Sequence, residues 1–253
     1  MRFKQIFLCC IPFLFLSACV QRVTVKEVVN DKSAYEQQHF SYSVLTENVK
    51  QTINRAKAGN YKFKKFKLKM LVEAVSDDVK SEWTVMRTYE QLGKGLVRSR
   101  LEFIKNDIPL AIVFMLDFGP VQLKYQSVGY KSQYPRRISH TVEIQTFDYQ
   151  FLDPQENSTY ISGYINGLYG QSGSINDNTM TCKSGSYMDA TQVHADLSGQ
   201  AIRLDCERLG NNKVLASKYT FMYLKDYGVY LQTENSSATS KGTRKVLEVI
   251  SQG

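Results

Sequence analysis

Apolar residues and lysines alternate over residues 61–70 (YKFKKFKLKM), a period of two that predicts a strand with one buried face. The other face would carry Lys62, Lys64, Lys65, Lys67 and Lys69, with the phase slipping at Lys64-Lys65 as at a β-bulge. Just upstream the period is helical. Leu45, Val49, Ile53 and Ala56 fall on one stripe, Ser43 can cap it and Gly59-Asn60 can stop it. One amphipathic helix is therefore expected to lie against a sheet. Residues 20–40 are polar and lack steady periodicity apart from Val23-Thr24-Val25 and Val28-Val29, and they read as a tether.

Beyond residue 70 the chain reads as short strands punctuated by turns. Ser76-Asp77-Asp78, Gly93-Lys94-Gly95, Asn106-Asp107-Ile108-Pro109 and Gly119-Pro120 bound strands expected at 83–89, 96–104 and 110–116. The last of these (LAIVFML) is the most buried-looking. Further strands are expected at 121–128, 141–152, 159–169, 201–206, 214–224, 229–234 and 244–250, with a loop at 170–177. Lys225-Asp226-Tyr227-Gly228 would be a hairpin turn. The 16 tyrosines and 13 phenylalanines add to the β bias. Roughly ten to twelve short strands imply a mainly β fold, an antiparallel sandwich or a curved half-barrel with one N-terminal amphipathic helix. No Pro- or Ser-rich linker divides the chain, so residues 41–253 are expected to form a single domain.

A different pattern occupies the amino terminus. The apolar run at 6–15 (IFLCCIPFLF) follows Arg2 and Lys4 and precedes Leu16-Ser17-Ala18-Cys19 and polar chain. It falls well short of the about 20 residues that a spanning helix requires, and has the parts of a secretory signal. The Leu-Ser-Ala-Cys ending resembles the lipobox of bacterial lipoproteins, a resemblance that covers residues 1–19. It implies that residues 1–18 are a cleaved signal peptide. Cys19 would then carry a diacylglyceryl group and a further acyl chain such as palmitate, holding the mature chain on a membrane. Val20 in place of an aspartate implies an outer-membrane anchor facing the periplasm of a Gram-negative cell, the inner membrane or cell surface being the alternatives.

Removal of residues 1–18 leaves 30 basic against 24 acidic residues, a net charge of +6. Spread over an exported chain, this is no nucleic-acid signature. The expected partners are the membrane, through lipid on Cys19, and another envelope protein, the cell wall or anionic lipid. The lysine series is the candidate contact for an anionic surface, at about 1 kcal/mol per Lys, although lysines also protect exposed strands from aggregation. With Cys19 lipidated, Cys182 and Cys206 remain as an even pair in an oxidising compartment, which favours a disulfide. A metal site is the rival reading, but only His194 lies between them.

No motif carries chemistry. His140 and Glu143 have an H-x-x-E spacing without a second ligand, and Gly170-Gln171-Ser172-Gly173-Ser174 misses the nucleophile-elbow pattern. Gly163 and Gly167, among Tyr160, Tyr164 and Tyr169, mark a bend or a slot rather than a phosphate loop. Asp205 and Glu207 flank Cys206 on one strand face and read as solvated surface. No catalytic residue, cofactor or metal is assigned, and the expectation is a non-enzymatic interaction or envelope-assembly module. The alternative is a lipid-binding or carrier domain with an acyl-chain cavity in a curved sheet. A carrier needs a dry apolar cavity of several hundred Å3 on the order of small-ligand sites. An interaction module would instead be solid inside, with an exposed patch or open edge.

Overall fold

A computed structural model describes residues 23–57, 59, 61–169 and 175–253, the side chains of 251 and 252 apart. Cys19, Asn60 and most of the expected loop at 170–177 lie outside the described residues.

The stretch read as a tether is helical from Val25. Thr24 and Glu27 form a capping box, the Thr24 hydroxyl accepting from the Glu27 N–H at 3.3 Å and the Glu27 carboxylate accepting from the Thr24 N–H at 2.6 Å. This opens α1 (Val25–Asn30). Asp31 ends α1 and caps α2 (Lys32–His39) through the Ala34 N–H. Each helix is too short to build a periodic signal, yet Val25, Val28, Tyr35 and Phe40 are all buried. The expected amphipathic helix is α3 (Glu47–Arg55). Its stripe is as read, with Leu45, Val49, Ile53 and Ala56 buried. Its cap is Thr46 rather than Ser43, which sits in a preceding 3-10 turn. Ala56 ends the helix before Gly59.

Twelve strands follow among the described residues: β1 (Lys65–Ser76), β2 (Val79–Gly93), β3 (Leu96–Lys105), β4 (Ile108–Phe118), β5 (Val121–Gly129) and β6 (Ser139–Phe147). The second six are β7 (Thr159–Leu168), β8 (Asn176–Asp189), β9 (Gln200–Leu209), β10 (Leu215–Leu224), β11 (Val229–Ser236) and β12 (Ser240–Gln252). Turn chemistry sets the register. Asp77 and Asp78, and again Asn106 and Asp107, take positive φ in two-residue hairpins, where Asn and Asp tolerate the left-handed region. The slip at Lys64-Lys65 is not a bulge but the start of β1, where both backbone N–H groups donate to the Gly253 carbonyl. β8 was not expected at all: its inward positions include Asn178 and Ser184, so it lacks the apolar alternation that marks the other strands.

The mainly β class holds, but the strands form neither a sandwich nor a half-barrel. Each pairs antiparallel with its sequence neighbours, and β12 pairs with β1, which closes the ring. Two seams are thin. β5 meets β6 at only Lys124–His140 and Tyr125–Ser139, and β11 meets β12 only at 234–236 against 241–243. At the first seam α3 satisfies the open edge of β6. The Thr46 hydroxyl donates to the Val142 carbonyl at 2.8 Å, and the Asn48 side-chain carbonyl accepts from the Ile144 N–H at 2.9 Å. At the second, the 190–199 connection brings Ala190 and Leu197 into contact with the core that contains Leu231 and Val246.

Because strands alternate in direction, the connections at 77–78, 106–107, 130–138 and 237–239 share one end of the barrel. Those at 94–95, 119–120, 148–158, 190–199 and 225–228 share the other. β4 is buried on both faces. Ile112, Phe114, Leu116 and Phe118 join the core containing Phe40, Val49 and Ile53, and Val113 and Met115 point the opposite way.

Candidate functional site

The alternation that builds each strand decides what its two surfaces offer. On β9, Ile202, Leu204 and Cys206 are buried while Arg203, Asp205 and Glu207 are exposed. On β10, Lys218 and Thr220 flank Tyr219, which turns toward the core side. The outward set of β8 to β11, with Lys241 and Thr243 of β12, lines a groove of about 610 Å3. Lys183, Lys218 and Lys241 face Asp205, Glu207 and Glu234 there, among the hydroxyls of Thr181, Thr220, Thr243 and Ser236. Some of these charges are matched locally: Lys218 lies 2.8 Å from Glu207, and Arg203 reaches Asp205 at 2.9 Å. Partial burial works against ionisation of Asp205, but hydrogen bonds from Arg203 and Thr220 hold its carboxyl below the usual range. Exposed pairs of this kind contribute about 0–1 kcal/mol each, so the groove is not costly to rearrange around a partner.

The inside of the barrel is of another character. Strands β2, β4, β5 and β7 to β11 line a partly open cavity of about 90 Å3 whose wall includes Arg87, Asp117, Gln122, Tyr164, Arg208, Tyr219 and Gln232. A second, of about 10 Å3, lies toward the end closed by Gly95, Gly119 and Leu152. The Arg87 guanidinium stacks 4.3 Å from the Tyr89 ring and donates to the Ser99 hydroxyl. Arg208 donates to Ser217, and Arg244 to the Asn235 carbonyl at 2.9 Å. Asp117 borders both cavities and so keeps some accessible surface, yet protein surrounds it. Burial pushes its carboxyl up to about 7, with Arg87 pulling it back only in part. Burial and the charge of Arg87 bring the Arg244 guanidinium down to about 10.

Cys182 and Cys206 form the expected disulfide, between directly opposed residues of β8 and β9 on the buried face. Asp205 and Glu207 project from the opposite face, into the groove. The lysine series is divided. Lys67 and Lys69 lie on the outer face of β1, Lys65 stands across from Glu90, and exposed Lys62 and Lys64 precede the strand. Lys69 has Glu248 opposite on β12, and Lys62 lies 4.0 Å from Asp226, so the series is interrupted by carboxylates. Arg136 and Arg137 sit in the 130–138 connection, at the other end of the barrel from Lys62 and Lys64. His140 pairs with Lys124 across the β5–β6 seam, and Glu143 lies beyond a register shift. Burial brings the Lys124 amine down to about 8.

Sequence reasoning missed the interior arginines. Arg87, Arg208 and Arg244 lie on three strands far apart in the chain, and ring closure brings Arg87 and Arg208 to one cavity with Arg244 close enough to feel the charge of Arg87. The phase of alternation was the available signal. Arg87 falls in step with Val85 and Tyr89, and Arg244 with Val246.

No family model matches the chain, and no curated protein matches it. Among solved structures, a DUF1329 family protein from Desulfovibrio piger superposes with a TM-score of 0.40 at 8% identity, over 79% of this chain and 87% of that one.

Proposed function

We propose that this chain is a non-enzymatic lipoprotein of the cell envelope that holds an extended, polar segment of another envelope protein in its outer groove. The groove carries this reading. It crosses five strands, measures about 610 Å3, and presents both signs of charge beside hydroxyls. Such a lining suits backbone and charged side chains of an extended segment. The acyl-carrier alternative is less well served by the two interior cavities, of about 90 and about 10 Å3, that the described residues border with arginines and tyrosines. An acyl chain asks for a larger and drier space.

The anchor is part of the proposal. Val25 lies six Cα steps beyond Cys19, a reach of roughly 20 Å when extended. The Val25 N–H donates to the Gln133 carbonyl, so the chain enters at the end that carries the 130–138 connection. A lipid on Cys19 would thus set Arg136 and Arg137 toward the head groups, with Lys62 and Lys64 at the far end.

The test places a photocrosslinking residue at Ser236 or Thr181 in the full chain, expressed in its own cells, with Ile108 as an exposed control. The expected result is one discrete protein adduct from the groove positions, lost on Lys183→Glu with Lys218→Glu. Equal adducts from Ile108, or none from the groove, would overturn the reading.

A further inference from the structure

The outer groove leaves the barrel interior without a role, and the interior is electrically unusual. Arg87 is 4% exposed, and the Arg87 and Arg208 Nε atoms are buried with no hydrogen-bond partner among the described residues, as is the Tyr89 hydroxyl. A guanidinium carries five donors in a fixed fork. Arg87, Arg208 and Arg244 are each matched to a neutral acceptor, Ser99, Ser217 and Asn235. None of the three forms a salt bridge among the described residues; Asp117 is the carboxylate that acts on Arg87. Buried charge is normally paired or fully hydrogen-bonded, because desolvation costs several kcal/mol per ion, by about the same reasoning for any cation. Three guanidinium groups against one carboxyl leave an excess of at least two positive charges. The cavity that Arg87 and Arg208 line has about 90 Å3 of room. A single water needs about 10–15 Å3 of such room, so the space can take several waters or one tetrahedral oxyanion.

We propose that the barrel interior binds a tetrahedral oxyanion, phosphate or sulfate in class, gripped by Arg87 and Arg208 with Arg244 adding charge behind them. Planar guanidinium forks match such oxygens with paired, charge-assisted hydrogen bonds. Tyr164, Tyr219 and Gln232 border the same space and supply neutral polar contacts. Asp117 does not oppose the anion where it is protonated, and burial favours that form at neutral pH and below. As an acid it donates to an oxyanion oxygen. The ion has two sources of the same chemistry: free in the periplasm, or carried on a larger phosphorylated envelope molecule.

The experiment uses the full mature chain, purified in buffer free of phosphate and sulfate and equilibrated overnight with inorganic phosphate before calorimetry and thermal melting. The expected result is saturable binding of one phosphate per chain with a raised Tm. Arg208→Gln and Arg87→Gln should weaken it by about tenfold or more, while Lys218→Gln in the groove leaves it unchanged. If the glutamine variants unfold, Arg208→Lys keeps the charge but not the fork and should still weaken binding. Where added phosphate fails to bind, denatured wild-type protein is analysed for phosphorus. One equivalent on an organic molecule, lost from Arg208→Lys, supports the larger source. A folded wild-type chain with neither bound phosphate up to roughly 10 mM nor co-purified phosphorus overturns the proposal.

Discussion

Individual side chains in this barrel are set by which face they occupy, and Asp117 has the clearest consequence. Its carboxyl is pushed from 3.8 up to about 7 by burial, so the folded state holds the proton more tightly than the unfolded chain. A group shifted this way supports stability fully below its unfolded value and loses that support as pH rises through the folded one. Stability is therefore expected to fall between about pH 4 and about pH 7, with a cost above that window on the order of 4 kcal/mol. Asp117→Asn, neutral throughout, should flatten that part of the curve and be the more stable protein at pH 8. Urea titrations from pH 4 to 8 in anion-poor buffer measure this, and parallel curves for the two proteins would refute it. Arg87, Tyr89, Arg244 and Tyr219 are the charged or titratable groups acting on this carboxyl or on one another across the same space.

At the scale of elements, α3 behaves as a substitute for a missing strand. Thr46 both caps the helix through the Val49 N–H and donates to the Val142 carbonyl on β6. Thr46→Ala removes a cap and leaves a strand-edge carbonyl without its partner, at a cost of about 1–3 kcal/mol, and Thr46→Ser should recover most of it. Chemical denaturation of the three proteins gives the comparison, and an unchanged midpoint in Thr46→Ala would mean that water serves the β6 edge equally well. The helical stripe itself was legible in Leu45, Val49, Ile53 and Ala56, because four apolar residues at fixed spacing outvote local alternatives. The cap was not. Ser43 and Thr46 are chemically equivalent candidates, and the contact with Val142 across the seam selects Thr46. α1 and α2 were illegible for a related reason. Two helices of 6 and 8 residues show no period, and Val28, Tyr35 and Phe40 gain their burial from Phe114 and its neighbours.

The whole molecule depends on closure, and the disulfide secures one rung of the closed ring. Joining Cys182 to Cys206, 24 residues apart, constrains the unfolded chain by roughly 3 kcal/mol. The double variant Cys182→Ala with Cys206→Ala should lower stability by about that amount while keeping the β-sheet circular dichroism of the oxidised protein. Loss of all structure would instead make the bond a condition of folding. The proposed anchor is tested at the same scale. An alkyne analogue of palmitate should label the wild type, and Cys19→Ala should abolish both label and membrane fractionation. Labelling that persists without Cys19 would remove the lipobox reading.

Most strand positions (β8 excepted), the hairpin turns, the helical stripe and the cysteine pair were determined by the sequence itself, because each rests on residues near one another or on simple parity. Asp77-Asp78 and Asn106-Asp107 mark their hairpins through local backbone preference, and Cys182 and Cys206 pair because they are the even remainder once Cys19 is set aside. Closure into a barrel was decided by tertiary structure alone. Strand alternation says that one face is buried, but it is the same in a sandwich, a half-barrel and a ring. What separates these is the β1–β12 ladder, which joins residues from opposite ends of the domain. The same closure turned Arg87, Arg208, Arg244 and Asp117 from four unrelated polar residues into one charged interior. Coulombic and desolvation energies depend on distance in space, which the order of residues along the chain does not specify.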